Sequence, residues 1–106
     1  MRPIRVSQTG VGTSQVVPLD FRAAPTNVAI GCILSGTATY TIEHTFDDVF
    51  SPTFDAGTAT WLPNAGLTAK TASADGNYVV PPTAVRINIA SGTGTVTMVV
   101  IQGDPK

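Results

Sequence analysis

The sequence is poor in reactive and charged residues. It holds one cysteine, one histidine and one tryptophan, and only 12% of its 106 positions are charged. A single cysteine, Cys32, excludes an intrachain disulfide and with it a small secreted domain held by bridges. About 25% charge is typical of a soluble domain. The shortfall, together with a net charge of −1, excludes a polybasic nucleic-acid binder, an acidic tail and a chain kept disordered by self-repulsion. Long apolar runs are missing too. The longest, Val28 to Leu34, is strand-sized, well short of the ~20 residues of a membrane helix. Arg2 and Arg5 open the chain with no apolar stretch of signal-peptide length behind them. The expectation is a protein made and kept in the cytoplasm, or assembled there, with neither a membrane nor a nucleic acid as partner.

What is present is turn and strand material. There are sixteen threonines, ten glycines and eight prolines. Threonine suits a pleated surface, because its branched Cβ packs well there. Glycine and proline recur about every ten residues, the spacing of short strands joined by turns. Ala38, Tyr40, Ile42, His44 and Phe46 alternate with Thr39, Thr41, Glu43 and Thr45, one face dry and one wet. Val85, Ile87 and Ile89 alternate with Arg86 and Asn88. Thr95–Gln102 begins the same way, then turns apolar on both faces at Val99, Val100 and Ile101, as a strand covered on both sides does. Arg5–Ser7 and Gln15–Leu19 read as edge strands.

Ser35-Gly36-Thr37 and Ser91-Gly92-Thr93-Gly94 are short enough to close hairpins. Ala74-Asp75-Gly76-Asn77 reads as a turn into Tyr78-Val79-Val80, which Pro81 and Pro82 end. These features predict an all-β fold: one antiparallel β-sandwich of about seven or eight short strands spanning residues 1–106. Its strand order, jelly-roll or immunoglobulin-like, stays open. Residues 1–7 read as an extended arm and residues 103–106 as a frayed tail.

The segment Phe46 to Pro63 interrupts this rhythm. It carries three of the four phenylalanines and the only tryptophan, among aspartates and prolines. Asp47-Asp48-Val49-Phe50 is suited to open one helical turn, since Asp caps free N–H groups. Asp47, Asp48 and Asp55 carry oxygens that a calcium ion accepts, but their spacing is not that of an EF-hand. They read as turn and cap residues. His44 reads as a half-buried structural histidine and Cys32 as a core thiol. No orienting third group accompanies them. There is no zinc-ligand set and no phosphate-binding glycine loop. No catalytic, metal or cofactor residue is therefore assigned, and the chain is read as a non-enzyme.

The stretches RPIRVSQTGVGTSQVVPLD, TATYTIEHTFDDVF, TATWLP, LTAKTASADGNYVVPPTAVRINI and SGTGTVTMVVIQG together resemble a family of small virion proteins of tailed bacteriophages. The resemblance covers about residues 2 to 103. It implies a decoration or cement protein that binds the major capsid protein on the outside of the head, self-associates as a homotrimer or other homo-oligomer, and resides on the virion surface after synthesis in the host cytoplasm. The residues expected to make protein contacts are Phe50, Phe54 and Trp61 as exposed members of the long loop, with Arg2, Pro3 and Arg5 of the arm as a second group. Two other readings accompany it. One is a neck, tail, baseplate or fibre component. The other is a carbohydrate-binding module that uses Trp61 and Phe54 as a stacking platform.

Overall fold

The computed structural model describes residues 4–19, 28–49, 51–78 and 82–102. The strands are β1 (Ile4–Thr9), β2 (Gly12–Thr13), β3 (Val17–Pro18), β4 (Val28–Ser35), β5 (Ala38–Thr45), β6 (Leu62–Pro63), β7 (Ala74–Tyr78), β8 (Ala84–Gly92) and β9 (Thr95–Gln102). They form two sheets. Sheet I runs in the order β1-β9-β4-β7, and sheet II in the order β2-β8-β5-β6, with β3 also paired to β8. Every pairing is antiparallel. With β2 and β3 counted as one interrupted strand, eight strands remain in two interleaved layers. This is jelly-roll connectivity, which settles the open strand order.

The two expected hairpins are corrected. β4 lies in sheet I and β5 in sheet II, and likewise β9 lies in sheet I and β8 in sheet II. Ser35-Gly36-Thr37 and Ser91-Gly92-Thr93-Gly94 are corners between layers. The physical reason is lateral pairing. β4 and β5 run beside β9 and β8 along their whole length, from Val28↔Gln102 to Ser35↔Thr95 and then from Ala38↔Gly92 to Thr45↔Ala84. β1 and β2 follow the other side of the same pair. The sandwich is thus a three-stranded ribbon folded over on itself, with β7 and β6 added at its far edges.

The fold line is a seam where three corners meet. The Gly94 N–H donates to the Thr37 carbonyl at 2.9 Å, and the Gly10 N–H donates to the Gly94 carbonyl at 3.1 Å. The seam excludes side chains. At Gly92 φ is +101°, and a Cβ there would lie 2.4 Å from the Thr37 carbonyl oxygen. Only glycine meets both conditions.

The core lies between the layers. Val28, Ile30, Cys32, Val96, Met98 and Val100 come from sheet I, and Ala38, Tyr40, Ile42, Val85, Ile87 and Ile89 come from sheet II. The period-two pattern predicted these positions. It fails at the end of β5, where Thr45 is buried and Phe46 is exposed. Two bonds explain the reversal. Thr45 Oγ1 accepts the Asp47 N–H, and the Thr45 carbonyl accepts the Thr83 hydroxyl. Buried, this threonine keeps its polar groups satisfied.

Three local expectations are also corrected. Ala74–Asn77 is not a turn but most of strand β7, paired to β4. Gly76 admits the Leu67 side chain, since a Cβ there would lie 2.9 Å from Leu67 Cδ1. Asp47–Val49 do not start a helix. The helical turn among the described residues is a 3-10 turn at Ala65–Leu67, capped by Asn64, whose Oδ1 accepts the Gly66 N–H at 2.9 Å. Finally, Ile4–Ser7 are not a free arm. They form most of β1, held to β9 from Ile4↔Val100 onward. The rest of the expected arm, including Arg2 and Pro3, lies outside the described residues, as do Phe50 and the tail 103–106. No helix among the described residues is long and apolar enough to cross a membrane.

Candidate functional site

The long loop and the outer face of sheet II form one unit. Successive residues of β5 and β8 alternate between core and exterior, so Glu43 and Arg86, which pair across the strands, point outward together. Arg86 Nε donates to Glu43 Oε1 at 2.9 Å, and Asn88 Nδ2 donates to Glu43 Oε2 at 3.2 Å. Trp61 lies over this pair, with its ring centroid 4.1 Å from the Arg86 guanidinium carbon, a cation–π contact. Its indole N–H donates to the Ala56 carbonyl at 3.0 Å, which draws the loop over the ring. Asp47 Oδ2 accepts the Thr60 N–H and Asp55 Oδ1 accepts the Gly57 N–H, both at 2.9 Å. The aspartates shape the loop, in keeping with their reading as turn residues.

A cavity of about 290 Å³ opens in this loop, lined in part by Asp47, Asp48, Phe54 and Asp55 with the hydroxyls of Ser51 and Thr53. No group of three or more His, Cys, Asp or Glu placed to hold a metal ion occurs among the described residues.

The outer face of sheet I is built differently. Here β1, β9, β4 and β7 present short side chains in rows. Thr9 pairs with Thr95 and Ser7 with Thr97, their hydroxyls bonded at 2.9 Å in each pair. Further along, Arg5 pairs with Val99, Val99 with Gly31, and Gly31 with Asp75. Ile33 and Ile101 stand 55% and 42% exposed on this face. No loop among the described residues roofs it.

The reactive side chains sit at the ends or inside. His44 Nδ1 bonds the Tyr78 hydroxyl at 2.8 Å, joining the two sheets at one open end. The His44 ring makes edge contacts with Phe46 and Tyr78. Burial holds its pKa below the usual 6.5. Cys32 is a buried core thiol, as expected. Burial pushes its pKa up to about 11, which keeps it protonated and unreactive at neutral pH. Tyr40, whose hydroxyl donates to the Ala72 carbonyl at 2.8 Å, is pushed up to about 12 chiefly by burial. Tyr78 pairs with Val28, four positions along β4 from Cys32, or about 13 Å at the strand rise. The described residues therefore make no Cys–His pair.

The expected contact residues fall on two opposite sides. Arg5 is exposed on the outer face of sheet I. Phe54 and Trp61 lie on the loop side, and both are half-buried rather than exposed. Trp61 is engaged by Arg86 and Ala56, and Phe54 lines a cavity that Trp61 does not. The two do not form one stacking platform. Sequence reasoning missed the outer face of sheet I, although β9 reading as apolar on both sides pointed to it. Compared with protein-family models, with curated proteins and with solved structures, the chain matches none.

Proposed function

We propose that this chain is a structural protein of a tailed-bacteriophage virion that binds and stabilises the outside of the capsid. The observation that carries this reading is the jelly-roll connectivity, an architecture used by viral capsid domains and also by lectins and cupins. Fold alone does not assign function, so the resemblance of the sequence to small phage virion proteins is the second support. A third is the surface. A threonine-rich surface with few charges binds through area and shape rather than through titrating groups. The partner is the major capsid protein, bound by many copies whose individually weak contacts add by avidity. Phe54, Trp61 and Arg5 remain the contact residues of this reading. It includes no catalysis, cofactor, membrane or nucleic acid.

Copy number tests it. Quantitative mass spectrometry of purified particles should find hundreds of copies, near one per major capsid subunit. A dozen or fewer would make it a neck, tail or baseplate part, and none would end the virion reading. A carbohydrate-binding module is the second reading, favoured by the loop cavity in which Phe54 stands beside three carboxylates and three hydroxyls. A glycan array without hits would remove it.

A further inference from the structure

Among the described residues nothing requires position 31 to be glycine. It lies in the middle of β4, where glycine weakens a strand by contributing no side chain and a more flexible backbone. Its φ is outside the left-handed region, and a Cβ built on it meets no atom within 4 Å. The space that glycine leaves open faces outward from sheet I. A glycine inside a strand often marks a place where another backbone or ligand comes close, and among the described residues nothing does.

The neighbouring strand carries the opposite anomaly. β9 is apolar on both sides at Val99–Ile101, yet among the described residues only its inner side is covered. Val99 is half-buried and Ile101 exposed. Val99 pairs with Gly31 and Ile101 with Ala29, so along the centre of the face a large residue on β9 stands beside a small one on β4. The same row ends in Arg5 on one edge strand and Asp75 on the other. Both are exposed. Neither enters an ion pair, the one among the described residues being Arg86–Glu43.

We propose that the outer face of sheet I binds the same face of a second copy about a twofold axis running along the strands between β9 and β4. That operation places Val99 of each copy over Gly31 of the other and Ile101 over Ala29. It also sets each Arg5 opposite the other copy's Asp75. Size and charge thus become complementary under one symmetry operator, as an isologous contact requires. A twofold axis across the strands would instead set Arg5 against Arg5. Face-to-face sheets lie about 10 Å apart, within the combined reach of an arginine and an aspartate side chain. Four strands, of six, eight, eight and five residues in sheet order, cover at most roughly 19 by 26 Å, a face at the small end of specific interfaces. Interfaces of this size belong to the weak, transient class, so the dimer is expected to exchange with monomer and not to be permanent. The test needs no capsid, and a copy paired in this way keeps its loop side, with Phe54 and Trp61, open to other partners while Arg5 serves the contact between copies.

Sedimentation velocity of the full chain from roughly 0.5 to 200 μM tests it. The wild type is expected to pass from monomer to dimer. Gly31→Val fills the notch that Val99 of the partner copy enters, and it is expected to stay folded by circular dichroism while losing the dimer across this range. Arg5→Asp sets like charges opposite each other twice and is expected to weaken association roughly a hundredfold. Arg5→Asp combined with Asp75→Arg restores the pairing and should bring the dimer back. A wild type that stays monomeric throughout overturns the proposal, as does a trimer. A dimer indifferent to both Gly31→Val and Arg5→Asp overturns it equally.

Discussion

The two outer faces of the sandwich share a core and differ in nearly everything else. Sheet II is roofed by its own chain: Trp61 sits on Arg86, Arg86 is bonded to Glu43, and the loop that carries the tryptophan is pinned by Asp47 and Ala56. Sheet I presents threonines, a serine and exposed isoleucines with no roof among the described residues. One face has spent its long side chains on itself. The other carries mostly short ones, and its cross-strand side-chain hydrogen bonds among the described residues are the Ser7–Thr97 and Thr9–Thr95 hydroxyl pairs. The two sides of this jelly roll thus differ in kind: one is closed over by its own chain, and the other is left bare among the described residues.

The largest effect should come where the two faces share backbone. Gly92→Ala forces a side chain against Thr37 at a positive φ and should remove roughly 3 kcal/mol or more of stability. Urea denaturation measures this, and both faces should be lost in a single transition. Next comes the roof. Trp61→Ala should cost about 2 kcal/mol, less than a fully buried tryptophan because this ring is half-exposed. A loss below about 0.5 kcal/mol would mean that the roof is not fastened and would erase the contrast between the faces.

A smaller effect belongs to the open end that joins the sheets. Burial lowers the His44 pKa from 6.5 in the folded chain. Between the two values the unfolded chain binds more protons, so folding stability is complete above about 6.5 and declines as pH falls below it. His44→Gln should flatten that slope in a series of melts from pH 8 to 5. The smallest effect is expected on the bare face. Ser7→Ala deletes one exposed hydroxyl pair and should change the stability of dilute protein by less than about 0.5 kcal/mol. A larger loss would show that the bare face supports its own sheet as firmly as the roofed one does.

How far the sequence anticipated this molecule depends on the range of the interaction concerned. Alternation of side chains is local, so the core positions of β4, β5, β8 and β9 were legible, as was the burial of Cys32. Pairing partners are not local. Ser35-Gly36-Thr37 has hairpin length, and nothing within it reveals that Gly94, far along the chain, satisfies its carbonyl. Thr45 and Phe46 exchanged places for the same reason, because Thr83 arrives from a distant segment. At the candidate sites, aromatic residues in a long loop suggested exposure. The cation that covers Trp61 comes from β8, and no spacing rule connects position 61 to position 86.

The alignment of β1 beside β9 has a consequence for how the protein comes into being. Ser7 and Thr97 bond across 90 residues of chain, and β9 also separates β1 from β4 within its sheet. On the ribosome, β1 emerges long before the strand that pairs with it. The β4–β7 pair can form early, but sheet I stays open at its centre until β9 is made. Folding of this kind, dominated by distant contacts, is slow. During that wait the unpaired edges of β1 and β4 are open to neighbouring chains, and a cell making many copies at once would have to keep them apart.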